Sequence, residues 1–175
     1  MVEINNPVCD AVNKRTVSIL VDNVSGVLSK VTNLFSRRGF NIDSLAVGTT
    51  EKAEFSRITV EIHATDSQVL QLVAQLRKLA CVSNVVVLEE TSMIKRELIV
   101  IKVRADSSTR GEIIEIVNIF RGKIIDLAPE SLIVEITGED DKAGAVVNML
   151  SKFGIIELAR TGVVALGRGG DTIYG

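Results

Sequence analysis

Along this chain, apolar positions alternate with period two in some stretches and recur every three or four residues in others. In Thr16–Val21, strand alternation puts Val17, Ile19 and Val21 on one face. A polar turn follows, and then Val24, Val27, Leu28, Val31, Leu34 and Phe35 line one side of a helix whose other side carries Ser29, Lys30, Thr32, Asn33, Ser36 and Arg37. Gly39 stops that helix in the C′ position. Residues 41–48 read as a second strand, 49–54 as a hairpin turn and 55–63 as a third strand, with Ile58, Val60 and Ile62 inward and Arg57, Thr59, Glu61 and His63 on a partly wet side. Asp66 or Ser67 then caps a helix with Val69, Leu72, Val73, Leu76 and Leu79 as its stripe, and Val82–Leu88 is a fourth strand.

The order β-α-β-β-α-β is the ferredoxin-like order, and it occurs twice. After a mixed-charge linker at 90–96, the pattern predicts a strand at 97–103 and a helix at 107–121 stopped by Gly122. Strands at 123–127 and 132–137, a helix at about 139–153 and a last strand at 155–166 follow. The organisation expected is therefore α+β, with two tandem ferredoxin-like domains at 15–89 and 97–166. A lead-in at 1–14 and a flexible tail at 167–175 complete the chain. The repeats share spacing: nine residues separate Gly26 from Phe35 and Gly111 from Phe120. Their first loops differ, Asp22-Asn23-Val24-Ser25-Gly26 against Asp106-Ser107-Ser108-Thr109-Arg110-Gly111, which suggests divided labour, although a duplication kept only for structure would look similar.

Composition narrows the function. Hydrophobic residues make up 46% of the chain and aromatics 3%, so the core is aliphatic and no row of stacking platforms for single-stranded nucleic acid exists. A net charge of −2 gives no basic attraction to nucleic acid or an acidic membrane. No apolar run approaches a membrane span, and the first fifteen residues lack a signal core, which reads as a cytoplasmic protein. Cys9 and Cys81 belong to no metal or redox pattern and read as ordinary thiols. One histidine, His63, without partners at useful spacing does not make a catalytic set. No nucleophile triad, Walker sequence or dinucleotide fingerprint appears, so binding is the better class.

The candidate site is the loop Asp22 to Leu28. Asn23 or Ser25 can cap the helix, and Gly26 lets an outside group approach the backbone. Such a turn is either a capped helix start or a site for a small carboxylate at the helix amides.

Four blocks resemble a known family: Leu20–Leu28, Leu34–Leu45, Phe120–Asp126 and Glu157–Leu166 are similar to the small, regulatory subunit of acetohydroxyacid (acetolactate) synthase. The resemblance implies that the first domain is an ACT domain, in a homodimer holding valine between paired sheets. It further implies that the chain binds and activates the large catalytic subunit and confers valine feedback inhibition. Thiamine diphosphate, magnesium and FAD would belong to that partner and none to this chain. The family's valine-response residues fall on Asn23, Gly26, Asn41 and Gly48. The helix start at Ser25 to Leu28 would hold the carboxylate, the Asp22 and Asn23 side chains or nearby carbonyls the ammonium, and Val24, Val27, Leu28 and Ile42 the apolar side chain. The rivals are a free-standing ACT-domain sensor or transcriptional regulator, which would want a DNA-binding helix pair, and a small hydrolase, which would want a catalytic set.

Overall fold

Two separate hydrophobic cores organise the computed structural model, which describes residues 11–174. Cys9 lies outside the described residues, and Cys81 is a buried free thiol. The first unit holds the chain up to Ile94 together with the segment from Ala165; the second is Lys95–Val164.

In the first unit, β1 (Asn13–Asp22), α1 (Val27–Arg37), β2 (Ile42–Thr49), β3 (Phe55–Ala64), α2 (Asp66–Leu76) and β4 (Val82–Leu88) form an antiparallel sheet in the order β2-β3-β1-β4. Val17, Ile19 and Val21 of β1 and Ile58, Val60 and Ile62 of β3 face the helices, against Val27, Val31 and Phe35 of α1 and Val69, Leu72 and Leu76 of α2. Alternation in the strands and helical spacing therefore specify the same core. Helix α1 ends in a Schellman turn: Gly39 has φ +73°, its amide donates to Ser36 O, and the Phe40 amide donates to Phe35 O. The accompanying apolar contact is an edge-to-face pair of Phe35 and Phe40, with ring centroids 6.3 Å apart. The cap of α2 is Thr65, in a reciprocal box with Gln68, one residue before the expected Asp66 or Ser67.

The second unit repeats the order with β5 (Met93–Arg104), α3 (Arg110–Ile119), β6 (Lys123–Ala128), β7 (Ser131–Gly138), α4 (Asp140–Ser151) and β8 (Ile155–Arg160), in the sheet order β6-β7-β5-β8. A short β9 (Val164–Gly167) pairs with β5; both strands straddle the boundary between the units. The single last strand expected over 155–166 is thus two, broken where Gly162 takes φ +81°. The expected linker at 90–96 is also shorter, because a 3-10 turn at Glu90–Ser92 leads straight into β5. Helix α3 starts at Arg110 rather than Ser107, since the Asp106 side chain organises the residues ahead of it into a turn.

The residue that takes the left-handed conformation after α3 is Arg121 (φ 52°), not Gly122. Gly122 is there because a Cβ would lie 2.8 Å from Ile136 Cγ1 and 3.1 Å from Glu135 O, so the turn must press against β7. Gly122→Ala is expected to cost about 1–3 kcal/mol through overpacking, read as a lower denaturant midpoint at unchanged slope.

The last residues are not a loose tail. Arg168 donates its backbone N–H to Ser92 O (2.7 Å) and its Nε to Met93 O. Asn84 Nδ2 donates to Ile173 O (2.7 Å), and Ile173 is buried. Lys52 Nζ sits 3.9 Å over the Tyr174 ring, which also meets Phe55. The glycines at 167, 169 and 170 hid this from the sequence, because the anchors are backbone carbonyls and two late side chains. The β3 face expected to be partly wet is dry in its middle: Thr59 and Glu61 are buried, the latter 1% exposed and paired with Lys14 Nζ at 2.9 Å.

Candidate functional site

The loop between β1 and α1 is fixed by its backbone and by one side chain. Asp22 N donates to Cys81 O, Asn23 N to Glu54 O and Val24 N to Asp22 O. Asn23 Nδ2 donates to Ala53 O (3.0 Å), and its Oδ1 accepts from Ser56 Oγ (3.1 Å). Asn23 therefore clamps the loop to the β2–β3 turn and does not cap the helix; nor does Ser25. The N-cap is Gly26, left-handed at φ +81°, with no side-chain hydrogen bond. The amides of Leu28 and Ser29 find no carbonyl among the described residues. Of the four α-helices among the described residues, only α1 has no acidic residue in its first turn. No carboxylate of that first turn offsets its partial positive charge.

Around these amides the apolar surface is open. Val24 is 64% exposed and Leu28 41%, although both belong to the stripe expected to be buried; Val27 alone of the three enters the core. The stripe ends early because the left-handed Gly26 turns the chain away from the helix axis, leaving Val24 outside it. Val47, on the core-side face of β2 opposite Ile58, is exposed as well. It is a candidate that the sequence reading missed, since alternation in β2 marks it as core.

The other candidates lie along β2, an edge strand. Gly48 is opposite Arg57, and the next pair is Thr49 with Ser56, whose hydroxyl donates to Asn23 Oδ1. Gly48 is thus at the loop end. Asn41 precedes the far end of the strand, where its Nδ2 donates to Asp43 Oδ1 (3.1 Å), and Ile42 packs partly on the core. Seven residues of strand put Asn41 about 23 Å from Gly48. Asn41 and the loop cannot share one ligand within one chain. Nearby, His63 Nδ1 lies 2.7 Å from Asp43 Oδ2, a partner that the sequence reading did not see, because it comes from the neighbouring strand.

The equivalent loop of the second unit fills itself. Asp106 accepts from the Ser108 and Thr109 amides and hydroxyls, and Arg110 Nη2 donates to the carbonyls of Ala105, Ala128 and Pro129. The Ser108 hydroxyl first, then the Thr109 amide and hydroxyl and the Ser108 amide, draw the Asp106 carboxyl down from 3.8 to about 2. A depressed carboxylate stabilises the fold above its unfolded value and ceases to do so as pH falls through its folded one. The melting-temperature difference between the wild type and Asp106→Ala is therefore expected to be full at neutral pH and to shrink between about pH 4 and about pH 2. No three His, Cys, Asp or Glu side chains converge as metal ligands among the described residues, and no described helix is long and apolar enough to cross a membrane.

Comparison with known proteins places these features. Residues 17–84 match the family described as an AHAS small subunit-like ACT domain, and residues 96–169 the family described as the small subunit of acetolactate synthase. The acetolactate synthase small subunit of Mycolicibacterium smegmatis is 50% identical over 154 residues, which span 88% of this chain and 91% of that protein. The chain belongs to the acetolactate synthase small-subunit family. A probable member from Archaeoglobus fulgidus is 47% identical over 89% of this chain and 98% of its own. The crystal structure of the small subunit from Thermotoga maritima superposes with a TM-score of 0.86 at 41% identity, covering 91% of this chain and all of that one. The family fold is α+β, and the first unit carries its ACT domain.

Proposed function

We propose that the chain is the regulatory subunit of acetolactate synthase: it binds and activates the catalytic large subunit and makes that enzyme sensitive to valine. Besides family membership, the observation that carries the reading is the start of α1, an uncapped helix N-terminus with no acid in its first turn, set beside the exposed Val24 and Leu28. A carboxylate at the Leu28 and Ser29 amides offsets the dipole, and a short aliphatic side chain covers the apolar surface. Asp22 and the loop carbonyls are left for the ammonium. An apolar pocket of this kind separates valine from leucine or isoleucine by only about 1–3 kcal/mol per methylene.

A homodimer completes this site. Two copies of β2 paired antiparallel about a twofold axis bring the far end of one strand to the loop end of the other, so the partner subunit's Asn41 approaches Gly48 and the loop. This resolves the separation of Asn41 from the remaining candidates and gives an unpaired edge strand a partner. Catalysis stays with the large subunit, which carries thiamine diphosphate, magnesium and FAD, and the pair works in the cytoplasm.

The test is to co-purify the chain with a thiamine-dependent acetolactate synthase catalytic subunit and to assay activity with and without valine. The proposal requires a stable complex, higher activity with the chain present, and inhibition by valine that depends on the chain. Failure to associate, or valine inhibition of the catalytic subunit alone to the same degree, contradicts it.

A further inference from the structure

The face of the first sheet turned away from its helices carries a second pocket, roofed by the C-terminal segment. On that face Ser18 of β1 is opposite Val86 of β4, and Leu20, the next outward residue of β1, is opposite Arg57 of β3. Residues 166–174 cross over them, held by the contacts of Arg168, Asn84 and Tyr174 described above and by Arg57 Nη1, which donates to Ala165 O at 3.3 Å. Between strand face and roof is a cavity of about 360 Å³, within the range of small-molecule sites.

The lining is that of a ligand site rather than a packing defect. Its body is apolar, with Val86, Leu88, Leu166 and Ile173. Ser18 also lines it; this residue is 2% exposed, and its Oγ has no hydrogen-bond partner, although buried hydroxyls are nearly always satisfied. Opposite charges line the same cavity: the Arg57 guanidinium, with one donor engaged among the described residues, and the carboxylates of Glu51 and Asp171. Glu51 is held in its ionised form below the usual range, chiefly by its own backbone N–H, and the Tyr174 hydroxyl, buried without a hydrogen-bond partner, belongs to the same lining. An apolar body with one cation, two anions and two unmet hydroxyls, those of Ser18 and Tyr174, matches a small molecule that carries both charges on one end and a short aliphatic group on the other.

We propose that the cavity between the Ser18–Arg57–Leu88 face and the 166–174 segment binds a small zwitterion, an α-amino acid with a short aliphatic side chain, with Arg57 on its carboxylate and Glu51 on its ammonium. This site is separate from the Asp22–Leu28 loop and does not depend on the role assigned to that loop. The C-terminal segment acts as its lid, since Ile173 and Tyr174 close the side that the sheet leaves open.

Methyl-labelled full-length chain titrated with valine, isobutyrate and isobutylamine, each to about 10 mM, well above a weak millimolar affinity, tests this. Valine is expected to move the Leu88 and Ile173 methyl signals saturably, and the two half-probes to leave them in place. Glu51→Gln and Arg57→Gln are each expected to weaken the effect about tenfold or more, as for a lost charge-assisted hydrogen bond, whereas Gly26→Asp leaves it intact. Glu51 is exposed, so its variant keeps the fold even if Arg57→Gln loosens the lid. Pocket methyls that do not respond to valine, that respond equally to isobutyrate, or that respond unchanged in Glu51→Gln overturn the proposal. Movement of Val24 and Leu28 signals alone supports the loop as a valine site and counts against the pocket; movement of Leu88 and Ile173 alone does the reverse.

Discussion

Phe35→Ala is expected to lower the unfolding free energy by about 3–5 kcal/mol, the largest effect of any single truncation in the first unit. Phe35 is fully buried and heads the fully buried side chains by volume. It also fills two roles at once. It belongs to the buried stripe of α1, and it makes the ring contact with Phe40 that accompanies the Schellman turn. Its removal leaves a cavity lined by β-branched and other stiff side chains, which collapse poorly, and frees the chain after Gly39. Urea unfolding at constant slope measures the change. Phe35→Leu, which keeps most of the volume, is expected to cost less than half as much.

Gly26→Asp is expected to raise the valine concentration needed for half-inhibition about tenfold or more, while the chain still folds and still activates the catalytic subunit. A Cβ at Gly26 meets no atom within 4 Å, so the side chain has room. The backbone cost arises from φ +81°, a conformation that aspartate and asparagine tolerate better than most residues. The effect on valine is electrostatic: a fixed carboxylate beside the Leu28 and Ser29 amides offsets the helix charge that would otherwise hold the ligand. Gly26→Asn imposes the same backbone strain without the charge and is expected to retain part of the response. Equal loss in both variants would assign the effect to the loop's shape; unchanged inhibition in Gly26→Asp would remove the loop from the site.

How far the chain's pattern could be read depended on the kind of interaction involved. Cores followed from periodicity, because burial of one strand face and one helix stripe is a local property repeated over many residues. Val17, Ile19, Ile58, Ile113 and Leu150 all lie where spacing puts them. Caps and turns followed less well, since they turn on single atoms: Asn23 has the composition of an N-cap, yet its amide is committed to Ala53 and Ser56 across the sheet. Gly122 has the composition of a left-handed stop, but Arg121 takes that conformation, because the glycine is required by Ile136. The C-terminal segment was least legible. Its glycines suggest freedom, and what restrains it are carbonyls and side chains some 80 residues earlier in the chain. For the candidate site, the loop was visible as a break in pattern between two equivalent repeats, and the remoteness of Asn41 appeared only with the strand's length and direction.

Calorimetric titration of valine into the chain alone and into its complex with the catalytic subunit tests the central claim most directly. If valine bound by this chain is sensed by its partner through a shift between two conformations, the two dissociation constants must differ, and by linkage valine must change the affinity between the subunits by the same factor. A difference of about fivefold or more is expected, the usual scale of such coupling. Equal constants, or no valine binding to either form, would contradict it.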